Sequence, residues 1–338
     1  MRRLDVALDL PRMRRLSVGM TAYAEELARR LPRVAPDLHF TTFVRTSGLD
    51  VAEQVLLPLR VLATQPRLVH HLSVYAPLAG ARPFAITIHD VIHLRYPSHF
   101  KRSVGPYYRT VVRAVCARAA RVITDDERTV EDLERFLGVS PRKVRVVPLG
   151  VDDAFLGPVC AATSPRPYVL YAGNRRPHKD LATLVRAWLR LPPWREVDLA
   201  FTGEPDESFG SRPPARQRGA VRFLGELSTA DLARYYAGAA ALVVPSLCEG
   251  FGLPMLEAAA LGTPVVASAG AVPAVLRRHV RVFPTGDAAA LGAALGDALD
   301  GHSDASAART VARDLTWDRC AERTAEVYRD VLAEANAS

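Results

Sequence analysis

The sequence predicts two doubly wound α/β domains joined by a linker, with a ligand crevice between them. Three observations predict this class. Short apolar runs alternate with helix-patterned stretches, the alternation breaks once near the middle of the chain, and it then restarts. Alternation of this kind builds a parallel sheet covered by helices on both faces. The length of 338 residues suits two domains of roughly 150 residues each.

In chain order, strands are expected at residues 4–8, 40–44, 68–71, 84–89, 121–124 and 144–148. Each is rich in Val, Ile, Leu and Phe, as suits a strand buried on both faces. Helical patterns fall between them at 21–31, 104–119 and 129–138. Residues 153–167 hold three Pro, a Gly and small side chains, and read as a linker. Strands resume at 168–172, 198–202, 221–224, 241–245, 264–267 and 280–283. Helices follow at 181–191, 230–239, 254–261, 272–276 and 288–299. The expected organisation is a domain at 1–152, a linker at 153–167, a domain at 168–316 and a last helix at 317–338.

Apolar residues make up 49% and charged residues 24%, which excludes wholesale disorder. Charge is uneven. Residues 1–150 carry 24 Lys+Arg against 14 Asp+Glu, and residues 151–338 carry 20 against 22. A basic half suits an anionic partner such as a membrane surface, a phosphorylated substrate or a nucleic acid, and a solvated surface accounts for it equally well. No nucleic-acid recognition motif accompanies the charge. The four cysteines, Cys116, Cys160, Cys248 and Cys320, are far apart, which argues for a reducing compartment and against a zinc or disulfide framework. The N-terminus reads as a first strand, not a signal peptide. The long uncharged stretch 258–276 is broken by Gly262, Pro264, Gly270 and Pro273 and makes a poor membrane span. The expected location is cytoplasmic, either free or peripheral on the inner face of a membrane.

In open α/β sheets ligands bind beyond the carboxyl ends of strands, so function is sought in the turns there. No G-x-G-x-x-G and no G-x-x-x-x-G-K-[ST] occurs, which weakens a nicotinamide dehydrogenase and a P-loop NTPase. No Asp-x-Asp pair occurs, so no metal-bridged diphosphate site is signalled, and no cofactor is expected.

Four turns carry chemistry. In VVPSLCEGFGLPMLEAAAL (243–261) a strand ends, Glu249, Gly250 and Gly252 form a turn, and Pro254 suits the first turn of a helix holding Glu257. Free amides of Phe251, Gly252 and Leu253 at such a helix start bind anions and sugar oxygens. Carboxylates accept pairs of sugar hydroxyls, so two of them flanking an amide nest fit a nucleotide sugar. A capped helix with two surface Glu would share this spacing. In YVLYAGNRRPHKD (168–180) a strand ends at Gly173 before Arg175, Arg176, His178 and Lys179, and cations at a helix start make a diphosphate clamp. Lys179 is one of three lysines in the chain, a compact point charge suited to a leaving phosphate. In LSVGMTAYAEEL (16–27) Gly19 allows close backbone approach to a ligand. In FAITIHDVIHLRY (84–96) a strand delivers His89, which can hydrogen-bond a sugar or move a proton, with His93 less well placed.

Together these residues resemble a family 4 glycosyltransferase of the retaining, GT-B type, from the first strand to the final helix. The signature is Glu249, seven residues, then Glu257, in EGFGLPMLEAAALGTPVVAS. GNRRPHKDL, FTGE, VRFLGEL, IHD and VVPLGVD support it in order. The resemblance implies two Rossmann-like domains facing each other across a crevice, the second binding a nucleotide-diphosphate sugar as co-substrate. It implies that Glu257 holds the ribose, Glu249 the donor sugar, and the amides of Phe251, Gly252 and Leu253 sugar and phosphate. Lys179 and Arg175 would neutralise the leaving diphosphate, with Gly173 and Gly203 at the neighbouring turns and Phe223 and Leu224 bordering the base. Gly19 would meet the diphosphate and His89 the donor sugar, and the last helix would cross back to the first domain. The implied reaction is retaining, metal-independent transfer of a hexose, mannosyl-type favoured, to a hydroxyl of a glycan, phosphorylated or lipid-linked acceptor. Two departures stand out. Asn174 occupies the position after the turn glycine where a basic residue is usual, leaving Arg175 and Arg176 as alternatives. TDDER (124–128) is more acidic than the usual Ser-Glu pattern. A sugar-nucleotide epimerase of the same fold and a non-catalytic nucleotide-binding protein at a membrane are the alternatives.

Overall fold

The computed structural model describes residues 4–11, 18–45, 51–78, 83–192, 194–205, 219–302 and 304–337. These residues fall into two compact units: Met1–Gly150 with Trp317–Ser338, and Val151–Thr316. Among the described residues each unit holds one six-stranded parallel sheet.

The first sheet comprises β1 (Val6–Pro11), β2 (Phe40–Arg45), β3 (Leu68–His71), β4 (Phe84–Thr87), β5 (Arg121–Thr124) and β6 (Val144–Val146), in the order β2-β1-β3-β4-β5-β6. Its helices are α1 (Val18–Val34), α2 (Val51–Thr64), α3 (Ile92–Arg95), α4 (Val104–Tyr107), α5 (Arg113–Arg118) and α6 (Glu127–Leu137). A π-helical turn, Tyr108–Val112, joins α4 to α5, so the expected helix at 104–119 is one interrupted rod. β1 runs later than the expected 4–8 because a charged residue, Asp9, is admitted to the buried strand. Two buried partners make that possible: Arg45 Nε donates to Oδ1, and His71 Nδ1 lies 2.7 Å from Oδ2. The helix α2 was not expected. Pro58 and a nearly unbroken apolar run hide its period, and Val55, Leu56, Leu59 and Leu62 stay exposed.

The last helix of the chain, α12 (Trp317–Ala337), packs on α1 of the first unit. Arg30 donates to Asp318 at 2.6 Å, and Tyr328 joins a buried polar chain. In that chain His70 Nδ1 lies 2.6 Å from the Tyr328 hydroxyl, and Thr87 Oγ1 lies 2.9 Å from His70 Nε2 and 2.8 Å from the Tyr23 hydroxyl. Burial pushes the His70 imidazole down to about 3, so the chain is neutral.

The second sheet comprises β7 (Tyr168–Tyr171), β8 (Asp198–Phe201), β9 (Val221–Phe223), β10 (Ala241–Val244), β11 (Val265–Ser268) and β12 (Arg281–Phe283), in the order β12-β11-β10-β7-β8-β9. Its helices are α7 (Leu181–Leu189), α8 (Thr229–Gly238), α9 (Leu253–Ala260), α10 (Ala288–Leu299) and α11 (Ser306–Asp314). The expected helix at 272–276 is a single 3₁₀ turn, Ala274–Leu276, because Pro273 restricts its start. The polar α11 was not expected. Residues 153–167 run mostly exposed along the second unit and are anchored to it at two points. Phe155 is buried against Tyr236 at 5.8 Å, and the amide of Ala162 donates to Arg234 O. Strand order reverses between β7 and β10. Chain connections there leave in opposite directions, so the carboxyl ends of these two strands frame the crevice of this sheet.

Candidate active site

The turns after β7 and β10 meet at that reversal. The amide of Leu247 donates to His178 O at 2.8 Å and ties one turn to the other. Lys179 Nζ donates to both carboxylate oxygens of Glu249, at 2.6 and 2.7 Å. Ser246 Oγ donates to Glu249 Oε1 at 2.6 Å, and Ser268 Oγ in turn donates to the Ser246 carbonyl. Both charged side chains keep about an eighth of their surface open (14% for Lys179 and 13% for Glu249), so a ligand can reach them. Below them, burial pushes the Tyr171 phenol well up, and the Glu249 charge adds to the effect.

Two glycines hold this turn. Gly252 is the N-cap of α9 with φ +87°, a left-handed conformation that a side chain strains. Pro254 sits in the first turn, and no side chain caps the helix start. Pro254 has no N–H and the Met255 amide donates to Gly252 O, so the amides left for an anion are those of Phe251, Gly252 and Leu253. Gly270 serves by close approach: a Cβ there would lie 2.2 Å from the Leu247 carbonyl oxygen.

Glu257 lies one turn inside α9, partly buried. The Tyr236 hydroxyl donates to its Oε2 at 3.0 Å. Burial pushes its carboxyl up to about 7, against the Tyr236 hydrogen bond and aided by Asp152.

Arg175 takes a different direction. Its guanidinium donates to Glu204 O at 2.6 Å and Thr202 O at 2.8 Å and lies over the Phe223 ring at 5.1 Å. It therefore braces the β7, β8 and β9 ends, where Gly173 donates to Thr202 Oγ1 and Gly203 donates to Gly225 O. Phe223 stacks on Phe201 and Leu224 donates its amide to Phe201 O. Arg176 is exposed at the surface of the same turn.

Gly19 and His89 belong to the first unit. Gly19 lies in the first turn of α1, and Leu16 and Ser17 of its turn lie outside the described residues. His89 follows β4, with Nδ1 2.5 Å from Asp125 Oδ2 and the Tyr23 ring edge-on at 4.7 Å.

A family model for "Glycosyl transferases group 1" matches residues 166–301, and one for "Glycosyltransferase Family 4" matches residues 17–155. The chain belongs to the family 4 glycosyltransferases. Within this family it is 33% identical over 183 residues to the MMP alpha-(1->4)-mannosyltransferase of Mycolicibacterium hassiacum, covering 53% of this chain and 43% of that protein. It is 33% identical over 177 residues to the D-inositol 3-phosphate glycosyltransferase of Kineococcus radiotolerans, covering 46% and 41%. With the O-antigen chain mannosyltransferase RfbU of Salmonella typhimurium it shares 27% identity, covering 54% and 51%. The chain thus spans about half the length of these relatives or less. Its fold is that of sucrose-phosphate synthase from Thermosynechococcus elongatus, with a TM-score of 0.71 at 21% identity, covering 98% of this chain and 100% of that one. Anabaena HepE, solved in complex with UDP and glucose, gives a TM-score of 0.70 at 16% identity, covering 96% and 100%. The fold of this glycosyltransferase-family chain is therefore GT-B.

Ser246, Tyr236 and Asp125 were not singled out as partners of the site residues. Ser246 carried a signal, since it lies two residues past the end of β10 in VVPSLCEG. Tyr236 carried none, because only folding brings α8 to α9.

Proposed function

We propose that the chain transfers a hexose from a nucleotide-diphosphate sugar to a hydroxyl acceptor, with retention at the anomeric carbon. The observation that carries this reading is the Lys179–Glu249 pair beside the uncapped start of α9 at the strand-order reversal. In the proposed complex Lys179 and the amides of Phe251, Gly252 and Leu253 stabilise charge on the departing diphosphate. Glu249 accepts from hydroxyls of the donor sugar and Glu257 from those of the ribose. Glu249 spends its oxygens on hydrogen bonds, to Lys179 and Ser246 before the donor arrives and to sugar hydroxyls afterwards, which lowers its nucleophilicity. That favours a front-face route in which a phosphate oxygen takes the acceptor proton as the glycosidic bond forms. Lys179 supplies the cation at the phosphate, so EDTA is expected to leave the rate unchanged. The names of the relatives support a mannosyl-type donor and a phosphorylated or glycan acceptor.

A thermal-shift panel of UDP, GDP, UDP-glucose and GDP-mannose tests the reading, since a ligand of the native state raises the melting temperature. NMR of the product of the stabilising donor then gives the anomeric configuration. Absence of both a shift and sugar turnover across the panel would overturn it, and inversion would overturn its retaining step.

The Glu257 carboxyl yields a pH test. Only the ionised form accepts hydroxyls at both oxygens. With a value of about 7, the ionised fraction and hence donor affinity should rise about tenfold between about pH 6 and pH 8. Titration calorimetry with the stabilising nucleotide measures this, and Glu257→Gln should bind weakly at every pH. Stability runs the other way. The folded value is raised above 4.5, so this group's contribution is full below about 4.5 and lost as pH rises through 7. Glu257→Gln should therefore melt higher than wild type at pH 8. A pH-independent wild-type affinity would sink the ribose role.

A membrane surface as second partner is favoured by one feature of the first unit. α2 and the 104–118 helix pack on the same hydrophobic cluster. The exposed Val55, Leu56, Leu59 and Leu62 therefore share an outer layer with exposed Lys101, Arg102, Arg109, Arg113 and Arg118. Among the described residues no helix is long and apolar enough to cross a membrane. Flotation with phosphatidylglycerol vesicles, but not with phosphatidylcholine vesicles, is the expected result, and it should weaken with salt. Equal recovery in the protein-only fraction with both vesicle types would remove this partner.

A further inference from the structure

Two adjacent carboxylates follow β5, and they have different work. Asp126 caps α6: its Oδ1 accepts from the amide of Arg128 at 3.0 Å and from Arg128 Nε at 2.8 Å. Asp125 takes no part in that cap. It is buried, and its Oδ2 meets His89 Nδ1 at 2.5 Å. A buried carboxylate at the end of a strand costs folding free energy unless a charge partner offsets it, so its presence needs a reason beyond packing.

The surroundings of His89 give one. Tyr23 packs edge-on against the ring, with an interplanar angle of 89°. Thr129 Oγ1 donates to the His89 carbonyl at 3.4 Å. Ring and backbone are thus both held, and Nδ1 is engaged. The other ring nitrogen, Nε2, is buried and has no hydrogen-bond partner among the described residues. Asp125 Oδ1 and Thr124 Oγ1 beside it are likewise buried without a partner among the described residues, so the pair leaves polar atoms open to a ligand.

We propose that Asp125 is a positioning residue for His89: it accepts the proton of Nδ1 and turns Nε2–H toward an acceptor oxygen of the substrate. That oxygen belongs to a phosphate or to a sugar hydroxyl. The choice of ligand rests on the glycosyl-transfer reading, whereas the His89–Asp125 arrangement does not.

Electrostatics agrees with the geometry. Burial opposes charge on His89, but the charge and hydrogen bond of Asp125, with Asp90, outweigh it and raise its value. Burial raises Asp125, with Asp90 and Asp126 adding, while His89 lowers it. The other titratable neighbours are neutral. His70 from β3 is held low, and burial raises Tyr23 from α1 and Cys320 from α12. The Asp125 carboxylate favours the charged form of the ring, which donates from both nitrogens.

Nitrogen-15 NMR of the ligand-free protein tests the arrangement without any need for turnover. Wild-type His89 should titrate above the ordinary imidazole value, and Asp125→Asn should lower its titration midpoint by about one to three units. A wild-type midpoint at or below the ordinary imidazole value would overturn the proposal, and this holds whether or not the variant folds. In turnover, the alkaline limb of the kcat profile should move down by the same interval in Asp125→Asn and return in Asp125→Glu. A merely structural Asp125 would lower kcat without moving the limb, which would also overturn it. Adding GDP and then GDP-mannose separates the sources. A change at Nε2 with GDP alone indicates a phosphate oxygen, and one that needs GDP-mannose indicates a sugar oxygen. No change with either, in a protein that turns GDP-mannose over, overturns the substrate-facing half. Absence of turnover with a normal wild-type titration instead counts against the glycosyl-transfer reading alone.

Discussion

Lys179→Ala is expected to lower kcat/KM for sugar transfer by about 10²–10³-fold, the scale of one preorganised charge donor removed from a developing anion. Glu249→Ala should do the same. The two side chains form one unit, with Lys179 donating to both oxygens of Glu249. Residues that act as a unit are not additive, so the double variant should be little worse than either single. Lys179→Arg should restore little, because a planar fork replaces a compact ammonium beside a two-oxygen partner. Circular dichroism should show the fold retained in every variant, since the pair lies at the mouth of a sheet whose core does not include it. Wild-type rates in both single variants would sink the assignment of this site.

The physical ground is exchange of partners. Without ligand, the carboxylate holds the ammonium beside the start of α9, and Ser246 holds the carboxylate. An arriving diphosphate offers Lys179 a stronger anion, and the released Glu249 oxygens accept hydroxyls of the sugar. Neither side chain then has to be ordered at the moment of binding, which reduces the entropic cost of forming the complex. The pair is mostly shielded, so salt screens it less than a surface pair.

Much of this was legible in the sequence, for reasons that can be located. The strands at 168–171 and 241–244 were visible because parallel strands buried on both faces are short continuous apolar runs. Lys179 and Glu249 were visible because each follows such a run. Their pairing was not. They are 70 residues apart, and only the strand-order reversal between β7 and β10 joins them. The bracing of the turn by Arg175 was illegible because its partners are backbone carbonyls and a ring face, and carbonyls leave no residue code. α2 was hidden by Pro58 and by the apolar face it exposes, which erases the helical period. Asp125 was noticed only as excess acidity, since its partner lies 36 residues upstream, in the turn after another strand.

The second large effect is on folding. Asp9→Ala is expected to destabilise the first unit by about 3–5 kcal/mol, the cost of breaking a buried ion pair from one side. Asp9 sits inside β1 with no exposed surface, and Arg45 and His71 close on its two oxygens from the ends of β2 and β3. Arg45 also donates to the Tyr75 carbonyl at 2.6 Å, so it cannot swing out to water without releasing the chain beyond β3. Removing the carboxylate therefore leaves a guanidinium buried beside an imidazole. At about 2–4 °C per kcal/mol for a domain of this size, the melting temperature of this unit should fall by about 6–20 °C. Replacing all three residues together, Asp9→Leu with Arg45→Met and His71→Leu, should recover most of the loss, because no charge is then left unpaired. Calorimetry of the single and triple variants decides the matter. A single variant that melts within about 2 °C of wild type would show that water reaches Arg45 and that the charges are not buried as a set.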